Sequence, residues 1–197
     1  MIRLALAALL LFAPAAAMAQ DVTMDERREA DGTFTLSHTV VIDAPAAEIW
    51  TAVSTAAGWR TWAVPVAWDA PVEPETIETS YSPEARPGDP TTIRQRILAR
   101  IPGRLLVFRT VKAPDGFPNF ETFARTTGFM ELEPLGERRT RVRVTGAGHQ
   151  DTEAGRQILG FFREGNRISL ERLRQRFVSG PLDWAAIRAA ERQGSNH

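Results

Sequence analysis

The sequence predicts an α+β fold in which a curved antiparallel sheet of about seven strands encloses one long C-terminal helix. Three observations predict it. Short segments carry apolar residues at every second position, residues 152–179 carry them at steps of three and four, and proline or glycine separates these segments. A sheet and a helix that each have one apolar face are expected to bury those faces against each other.

The first predicted strand covers residues 33–42, where apolar side chains alternate mainly with threonine and serine. His38 shares the parity of the apolar residues and is expected to face the core side of the strand. Pro45 then favours the start of a helix, because its φ angle is fixed and it has no N–H to leave unpaired. Gly58 is interpreted as a break, so two short helices are predicted in place of one long helix.

Three tryptophans lie in this region and receive different predictions. Trp50 follows Ile49 on the first short helix and is expected to be a core residue. Trp59 and Trp62 come after the Gly58 break and are predicted to form part of a cavity wall.

The remaining segments complete the sheet and the helix. Further strands are predicted over residues 64–69, 76–81, 91–112 (a hairpin), 126–135 and 139–148. The long helix is predicted from about Thr152 to Ser179, and Gly180 followed by Pro181 ends it. Asn166 is the one strongly polar residue in the middle of its apolar stripe.

The N-terminal residues "MIRLALAALLLFAPAAAMAQ" have the pattern of a secretory signal peptide, with a basic start, an apolar run and small residues at Ala17 and Ala19. We therefore expect cleavage after Ala19 and a periplasmic or secreted protein. Residues 20–32 are polar, lack periodicity and are predicted to be a flexible leader. Residues 33–180 form one predicted domain, and residues 181–197 form a C-terminal extension with a short helix.

The composition excludes several classes of function. The chain has 24 basic and 24 acidic residues and no cysteine, so it has no thiolate chemistry and no global field of the kind that gathers nucleic acid. After the signal peptide, no segment has the roughly twenty apolar residues of a membrane-spanning helix. Phosphate-loop, dinucleotide-binding and zinc-protease motifs are absent from the sequence, and no cofactor is predicted.

Three segments together resemble the START-like superfamily, also called SRPBCC or helix-grip proteins. They read "VVIDAPAAEIWTAVSTAAGWRTW", "TTGFMELEPLGERRTRVRVTGAG" and "FFREGNRISLERLRQRFVSGPLDW". The resemblance covers about residues 33–184 and is strongest to the polyketide cyclase/lipid transport and heat-shock-ATPase-activator-like branches. It implies a cavity between the sheet and the long helix, which relatives use for lipids, sterols, polyketides and aromatic compounds. The superfamily has no universal catalytic residue, and assistance to a cytosolic ATPase does not fit an exported chain.

The predicted cavity lining consists of large apolar or hydrogen-bonding side chains: Trp59, Trp62, Tyr81, Phe120, Phe162, Asn166 and His38. Asn166 is included because burying an unpartnered amide costs about 1–3 kcal/mol, so a ligand, a cavity water, His38 or a backbone group is expected to pair with it. Phe117, Phe120 and Phe123 lie in a loop, where they form either the lip of the cavity or a cluster under the end of the helix. The lip is favoured.

His38 and His149 are the candidate catalytic residues, because an imidazole titrates near neutral pH and serves as acid, base or hydrogen-bond partner. For His38, a core position with a backbone hydrogen-bond partner is favoured over catalysis. For His149, a strand-to-helix turn is favoured, with Asp151 or Thr152 capping the helix. His149 and Asp151 are the only close pair of metal-ligand type, and no metal site is predicted.

Three functions remain open, in order of preference. The first is binding of a hydrophobic or amphipathic small molecule between sheet and helix, without catalysis. The second is a cyclase or hydrolase that uses a cavity histidine. The third is an interaction module that uses the arginines of residues 94–100 and 139–143, although these alternate with apolar residues and are expected to pair with Glu131 or Glu133 on a solvated face. Oligomeric state and ligand identity stay open.

Overall fold

The computed structural model describes residues 21–69 and 75–194. The predicted signal peptide and residues 195–197 of the predicted extension lie outside this part of the chain. The strands are β1 (Thr23–Arg28), β2 (Phe34–Ile42), β3 (Val66–Asp69), β4 (Thr76–Ser80), β5 (Ile93–Ile101), β6 (Leu105–Lys112), β7 (Thr127–Gly136) and β8 (Arg139–His149). The helices are α1 (Ala46–Ser54), α2 (Ala56–Trp59), α3 (Phe120–Phe123), α4 (Glu153–Ser179) and α5 (Trp184–Gly194).

All eight strands join one antiparallel sheet in the order β1-β2-β8-β7-β6-β5-β4-β3. The predicted α+β fold with one long C-terminal helix is confirmed. Helix α4 lies across β2 and β8 and buries Leu170 and Leu173 completely. Thr152 caps its first turn by accepting a hydrogen bond from Gly155 N at 3.1 Å, and Gly180 follows its last turn with φ 88°.

The predicted flexible leader is wrong for residues 23–28, which form the edge strand β1. Every residue of β1 is exposed, so the strand has none of the apolar alternation by which the other strands are predicted. Backbone pairing with β2 holds it, and two ion pairs tie it to the C-terminal half of the chain. Arg163 binds Glu26 at 2.8 Å and Arg28 binds Asp151 at 3.2 Å. This strand raises the number from about seven to eight.

The two short helices are present, but Thr55 separates them and Gly58 does not. Thr55 has an extended backbone (φ −129°, ψ 149°), and its hydroxyl accepts a hydrogen bond from Gly58 N at 2.9 Å. Gly58 lies inside α2, where the helix crosses α1 closely. A Cβ atom at this position would lie 2.3 Å from Thr51 O and 2.5 Å from Ala52 O. The glycine is therefore required by backbone contact between the helices.

The outward-facing arginines lie in ion pairs across the sheet surface. Arg141 pairs with Glu133 on β7, Arg139 lies 3.7 Å from Asp43, and Arg100 lies 2.9 Å from Glu75. Exposed pairs of this kind contribute about 0–1 kcal/mol each to stability. They leave no contiguous row of unpaired cations along these positions.

The C-terminal extension contains the predicted short helix, α5. Asp183 caps it by accepting hydrogen bonds from Ala185 N and Ala186 N, both at 3.0 Å. Among the helices of residues 21–69 and 75–194, none has the length and apolar character needed to cross a bilayer.

Candidate functional site

A small pocket lies between α4 and the middle of the sheet, and we call it the inner pocket. Its volume is about 80 Å³. Strands β5 to β8, the short helix α3 and helix α4 contribute its lining, which consists of Gln95, Phe108, Thr110, Phe123, Thr126, Gly128, Val144, Thr145, Gly146, His149, Phe162 and Asn166. Among these lining residues His149 is the only titratable one. The pocket is therefore uncharged apart from what this histidine can contribute.

Two glycines that face each other on neighbouring strands shape the pocket floor. Gly128 of β7 is the register partner of Gly146 of β8. A Cβ atom at Gly128 would lie 2.5 Å from the ring of Phe108, and one at Gly146 would lie 2.8 Å from His149 Nε2. Because neither glycine has a side chain, both rings lie close against the sheet, which leaves space beneath α4.

His149 reaches the pocket because a β-bulge precedes it. Leu36 of β2 pairs with Gly146 and Phe34 pairs with His149, so β8 has one residue more than β2 over this interval. Gly148 takes up the irregularity with φ 85°. The extra residue reverses the strand parity, so that His149 lies on the same face as Gly146. Its side chain is buried, its Nδ1 atom makes no hydrogen bond within the described chain, and burial lowers its pKa.

His38 lies under α4 and outside the lining of the inner pocket. Its Nε2 atom lies 2.9 Å from Arg163 O, and because a carbonyl only accepts, Nε2 carries the proton of the neutral ring. The backbone partner expected for a core histidine is therefore present. Nδ1 is buried without a hydrogen bond in the described residues, and burial lowers the pKa of this imidazole despite the opposing effect of the Arg163 carbonyl.

The aromatic residues of the α3 loop pack against α4 beside the pocket. Phe123 stacks on Phe162 with a centroid distance of 4.7 Å, and Phe117 contacts both Phe123 and Phe161 at 5.7 and 5.8 Å. Phe162 and Asn166, both predicted cavity residues, do line the inner pocket. Phe120 is half-buried on α3, outside both the inner pocket lining and these ring contacts. We call the cluster of Phe117, Phe123, Phe161 and Phe162 the aromatic lip.

The prediction that Trp59 and Trp62 form a cavity wall does not hold. Trp62 is 3% exposed in the core, and Trp59 packs on it with a centroid distance of 5.9 Å. Both indoles donate to carbonyls in the last turn of α1, Trp59 Nε1 to Val53 O at 2.6 Å and Trp62 Nε1 to Ala52 O at 2.9 Å. Carbonyls at a helix end have no partner inside the helix, so these tryptophans close α1. Neither lines the inner pocket.

Tyr81 lies apart from the inner pocket. It follows β4 and is 58% exposed at a groove between α4 and α5. His149 and Asp151 also do not form a pair, because Asp151 binds Arg28 and Arg156 at 3.2 and 2.8 Å. Within the described part of the chain, no three His, Asp or Glu residues cluster as a metal site would require.

The sequence reasoning missed Gly128, Gly146 and the pair formed by Gln95 and Thr110. Thr110 donates to Gln95 Oε1 at 2.9 Å on the pocket wall. The available signal was the glycine inside each of two strand patterns, since glycine in a strand interior often marks close approach of another group. Cross-strand pairing then brings Gly128 and Gly146 together, which neither strand reveals alone.

The two buried histidines predict a loss of stability in acid. Both native pKa values lie below the value of an unfolded imidazole, about 6.5, so the unfolded chain binds more protons as the pH falls. Their contribution is complete above about pH 6.5 and is lost progressively below it. We expect the Tm measured by circular dichroism to fall from about pH 7.5 to about pH 5, and to fall less in the His38→Gln/His149→Gln double variant. An equal fall in the double variant would contradict this assignment.

Comparisons with known proteins agree with this architecture. The family model described as polyketide cyclase/dehydrase and lipid transport matches residues 33–178, while a search of curated proteins finds no significant match. A protein from Arthrobacter aurescens is 19% identical with a TM-score of 0.60, covering 84% of this chain and 95% of its own. The Aha1 dimer from Colwellia psychrerythraea is 20% identical with a TM-score of 0.56, covering 74% and 97%.

CalU16 from Micromonospora echinospora is 18% identical with a TM-score of 0.55, covering 91% of this chain and 96% of its own. At these identities the solved structures share the fold. The family match extends from the start of β2 almost to the end of α4, and so includes the sheet, the helix and the inner pocket between them. The chain belongs to the polyketide cyclase/dehydrase and lipid transport family, within the START-like superfamily.

Proposed function

We propose that the protein is exported and binds an uncharged amphipathic small molecule in the inner pocket. One observation carries this proposal. The pocket is lined by aromatic rings together with polar groups, and the one titratable residue among its described lining, His149, is buried with a nitrogen that has no hydrogen-bond partner in residues 21–69 and 75–194. Buried polar groups are normally hydrogen-bonded, so a lining of this composition favours a ligand that supplies the missing partners.

The charge of the lining sets the charge of the ligand. Among the described residues that line the pocket there is no arginine, lysine or carboxylate, and burial keeps His149 neutral at pH 7 by lowering its pKa. An ionised ligand group would lose its hydration there without gaining a counter-charge, which is costly. The polar end of the ligand is therefore a hydroxyl, carbonyl or amide that faces His149 and Asn166.

The size of the pocket limits which part of a ligand enters it. A volume of about 80 Å³ is well below the roughly 300–1,000 Å³ of pockets that enclose whole drug-sized ligands. A ring or the end of a short chain fits between Phe108 and Phe162. A longer ligand requires the aromatic lip to open. Phe117 and Phe123 lie on the α3 loop, which is easier to displace than Phe161 and Phe162 on helix α4.

Native mass spectrometry of the protein recovered from the periplasm of its own bacterium tests both parts of the proposal. We expect a polypeptide mass that starts at Gln20 and a second species that carries a bound small molecule. Recovery with residues 1–19 still attached would contradict export, and repeated recovery of empty protein would contradict ligand binding.

The Gly146→Ala variant tests whether the ligand binds in the inner pocket. Its new methyl group would lie 2.8 Å from His149 Nε2, so the ring must move into the pocket space. We expect the Kd for the ligand to rise at least about tenfold, which corresponds to about 1.4 kcal/mol, and the ligand-bound fraction to fall as a result. The matched control is Gly136→Ala at the end of β7, where a Cβ atom meets nothing within 4 Å. Equal ligand occupancy in the two variants would place the ligand elsewhere.

The position of His149 also favours a second candidate function, acid–base chemistry on the bound molecule. An imidazole with a depressed pKa is an unprotonated base at neutral pH, and His149 borders the pocket whereas His38 does not. Catalysis predicts that His149→Gln retains the ligand but no longer converts it. Identical chemical forms of the ligand on the wild type and on this variant would favour binding alone.

A further inference from the structure

A larger groove lies on the other side of α4, and we call it the outer groove. Its volume is about 570 Å³. Its walls are formed by α4 and α5, together with Pro65, which precedes β3, and Tyr81, which follows β4. Its apolar surface comes from Tyr81, Phe161, Ile168, Trp184 and Ile187. Phe161 and Tyr81 are 57% and 58% exposed. Within the described part of the chain, the outer groove and the inner pocket have no lining residue in common.

The wall formed by α5 is held in place at its first turn. Trp184 Nε1 donates to Arg60 O at 2.7 Å, and Leu182 N donates to Thr61 O at 3.0 Å. The indole of Trp184 therefore has its polar edge satisfied by the chain after α2 and presents its apolar ring to the groove. These contacts make the groove a preformed feature of the fold, of the size that encloses small molecules.

Two cations distinguish this groove from the inner pocket. The Arg172 guanidinium lies over the ring of Trp184, 5.5 Å from its centroid. Arg188 projects from α5, and its Nη1 atom is buried without a hydrogen-bond partner in the described part of the chain. Glu164 is the one carboxylate among the described lining residues, and it pairs with Arg167, which also binds Glu171.

We propose that the outer groove binds an aliphatic carboxylate such as a fatty acid of about ten carbons, with the alkyl chain on the apolar surface and the carboxylate on Arg188. A buried guanidinium nitrogen without a partner is costly, and a carboxylate accepts two parallel hydrogen bonds from the guanidinium fork. Arg172 adds a second positive charge to the same groove, and the Arg167 ion pair offsets part of the negative charge of Glu164. The site takes an anion, whereas the inner pocket takes a neutral group, so this inference stands independently of the proposed function.

Isothermal titration calorimetry with decanoate tests the site, with decanol as the uncharged probe of the same chain length. We expect the wild type to bind decanoate more tightly than decanol. Arg188→Gln should raise the Kd for decanoate at least about tenfold, because a charge-assisted hydrogen bond is lost, and should change the Kd for decanol less than about twofold. The matched control is Arg192→Gln, an exposed arginine one turn further along α5 and outside the groove lining.

Two further variants test whether decanoate binds in the outer groove and not in the inner pocket. Ile187→Ser should weaken both probes, since it removes apolar surface without removing charge, and Gly146→Ala in the inner pocket should leave decanoate binding unchanged. Equal decanoate affinity of the wild type and Arg188→Gln would overturn the proposal, as would loss of decanoate binding in Gly146→Ala. If the protein sediments with phosphatidylglycerol vesicles but does not bind decanoate, the groove contacts a membrane surface. That result would also overturn the proposal.

Discussion

Replacing Trp62 with alanine should lower the free energy of unfolding by about 4 kcal/mol. The side chain is 3% exposed and packs within the main core cluster, so its removal leaves a large cavity among residues of α1, α2 and the sheet. It also leaves Ala52 O without its hydrogen bond from the indole, which is made at 2.9 Å. Urea unfolding followed by circular dichroism measures the change.

The control for this experiment is Trp62→Phe, which retains most of the apolar volume and removes the indole N–H. We expect it to cost about 1–2 kcal/mol, close to the value of one buried hydrogen bond together with a small packing defect. Ligand occupancy of the folded fraction should match the wild type in both variants. A Trp62→Ala protein that is fully stable but empty would restore the cavity-wall interpretation and refute the core assignment.

Replacing Gly58 with alanine should destabilise the protein by about 3 kcal/mol, even though alanine is ordinarily the better helix residue. The new Cβ atom would meet Thr51 O and Ala52 O at 2.3 and 2.5 Å, and backbone atoms cannot rotate away as side chains do. Helix α2 must therefore separate from α1, which also stretches the bonds of Trp59 and Trp62 to the end of α1. The measurement is again the free energy of unfolding in urea.

Replacement of a second glycine is expected to change the stability in the opposite direction and serves as the control. Gly160 lies inside α4, and a Cβ atom there meets nothing within 4 Å. Gly160→Ala is therefore expected to stabilise the protein by up to about 1 kcal/mol through helix propensity alone. A similar change in stability for both variants would show that the close crossing of α1 and α2 is not the reason for Gly58.

The fold was predictable because the buried faces of its main strands and helix produce regular spacings of apolar residues in the sequence. Strand β2 alternates, α4 carries apolar residues at helical spacing, and both patterns survive in the structure as buried faces. Strand β1 was not predictable, since it has no buried face and is held by backbone pairing and by the Glu26–Arg163 ion pair. Such contacts join residues far apart in the chain and leave no local pattern.

The candidate site was predictable only in part. The residues that follow regular helix or strand spacing could be placed, and those beside an irregularity could not. Phe162 and Asn166 follow helical spacing on α4, so their direction toward the sheet could be deduced. His149 could not be placed by strand parity, because the bulge at Gly148 reverses it. Trp59 and Trp62 were misplaced because an indole N–H that closes a helix end has the same sequence signature as one that faces a ligand.

The pairing of β2 with β8 in the sheet has a consequence for how the chain folds. Val40 pairs with Val142, so the first large strand and the last strand are neighbours although about a hundred residues separate them. The entropy of closing that loop must be overcome before this pairing is formed, which slows folding. Until β8 is complete at residue 149, the β1–β2 hairpin lacks its neighbour in the sheet, and α4, which packs on β2 and β8, comes later still in the chain. The domain is therefore expected to fold late and as a unit, once almost the whole polypeptide is present.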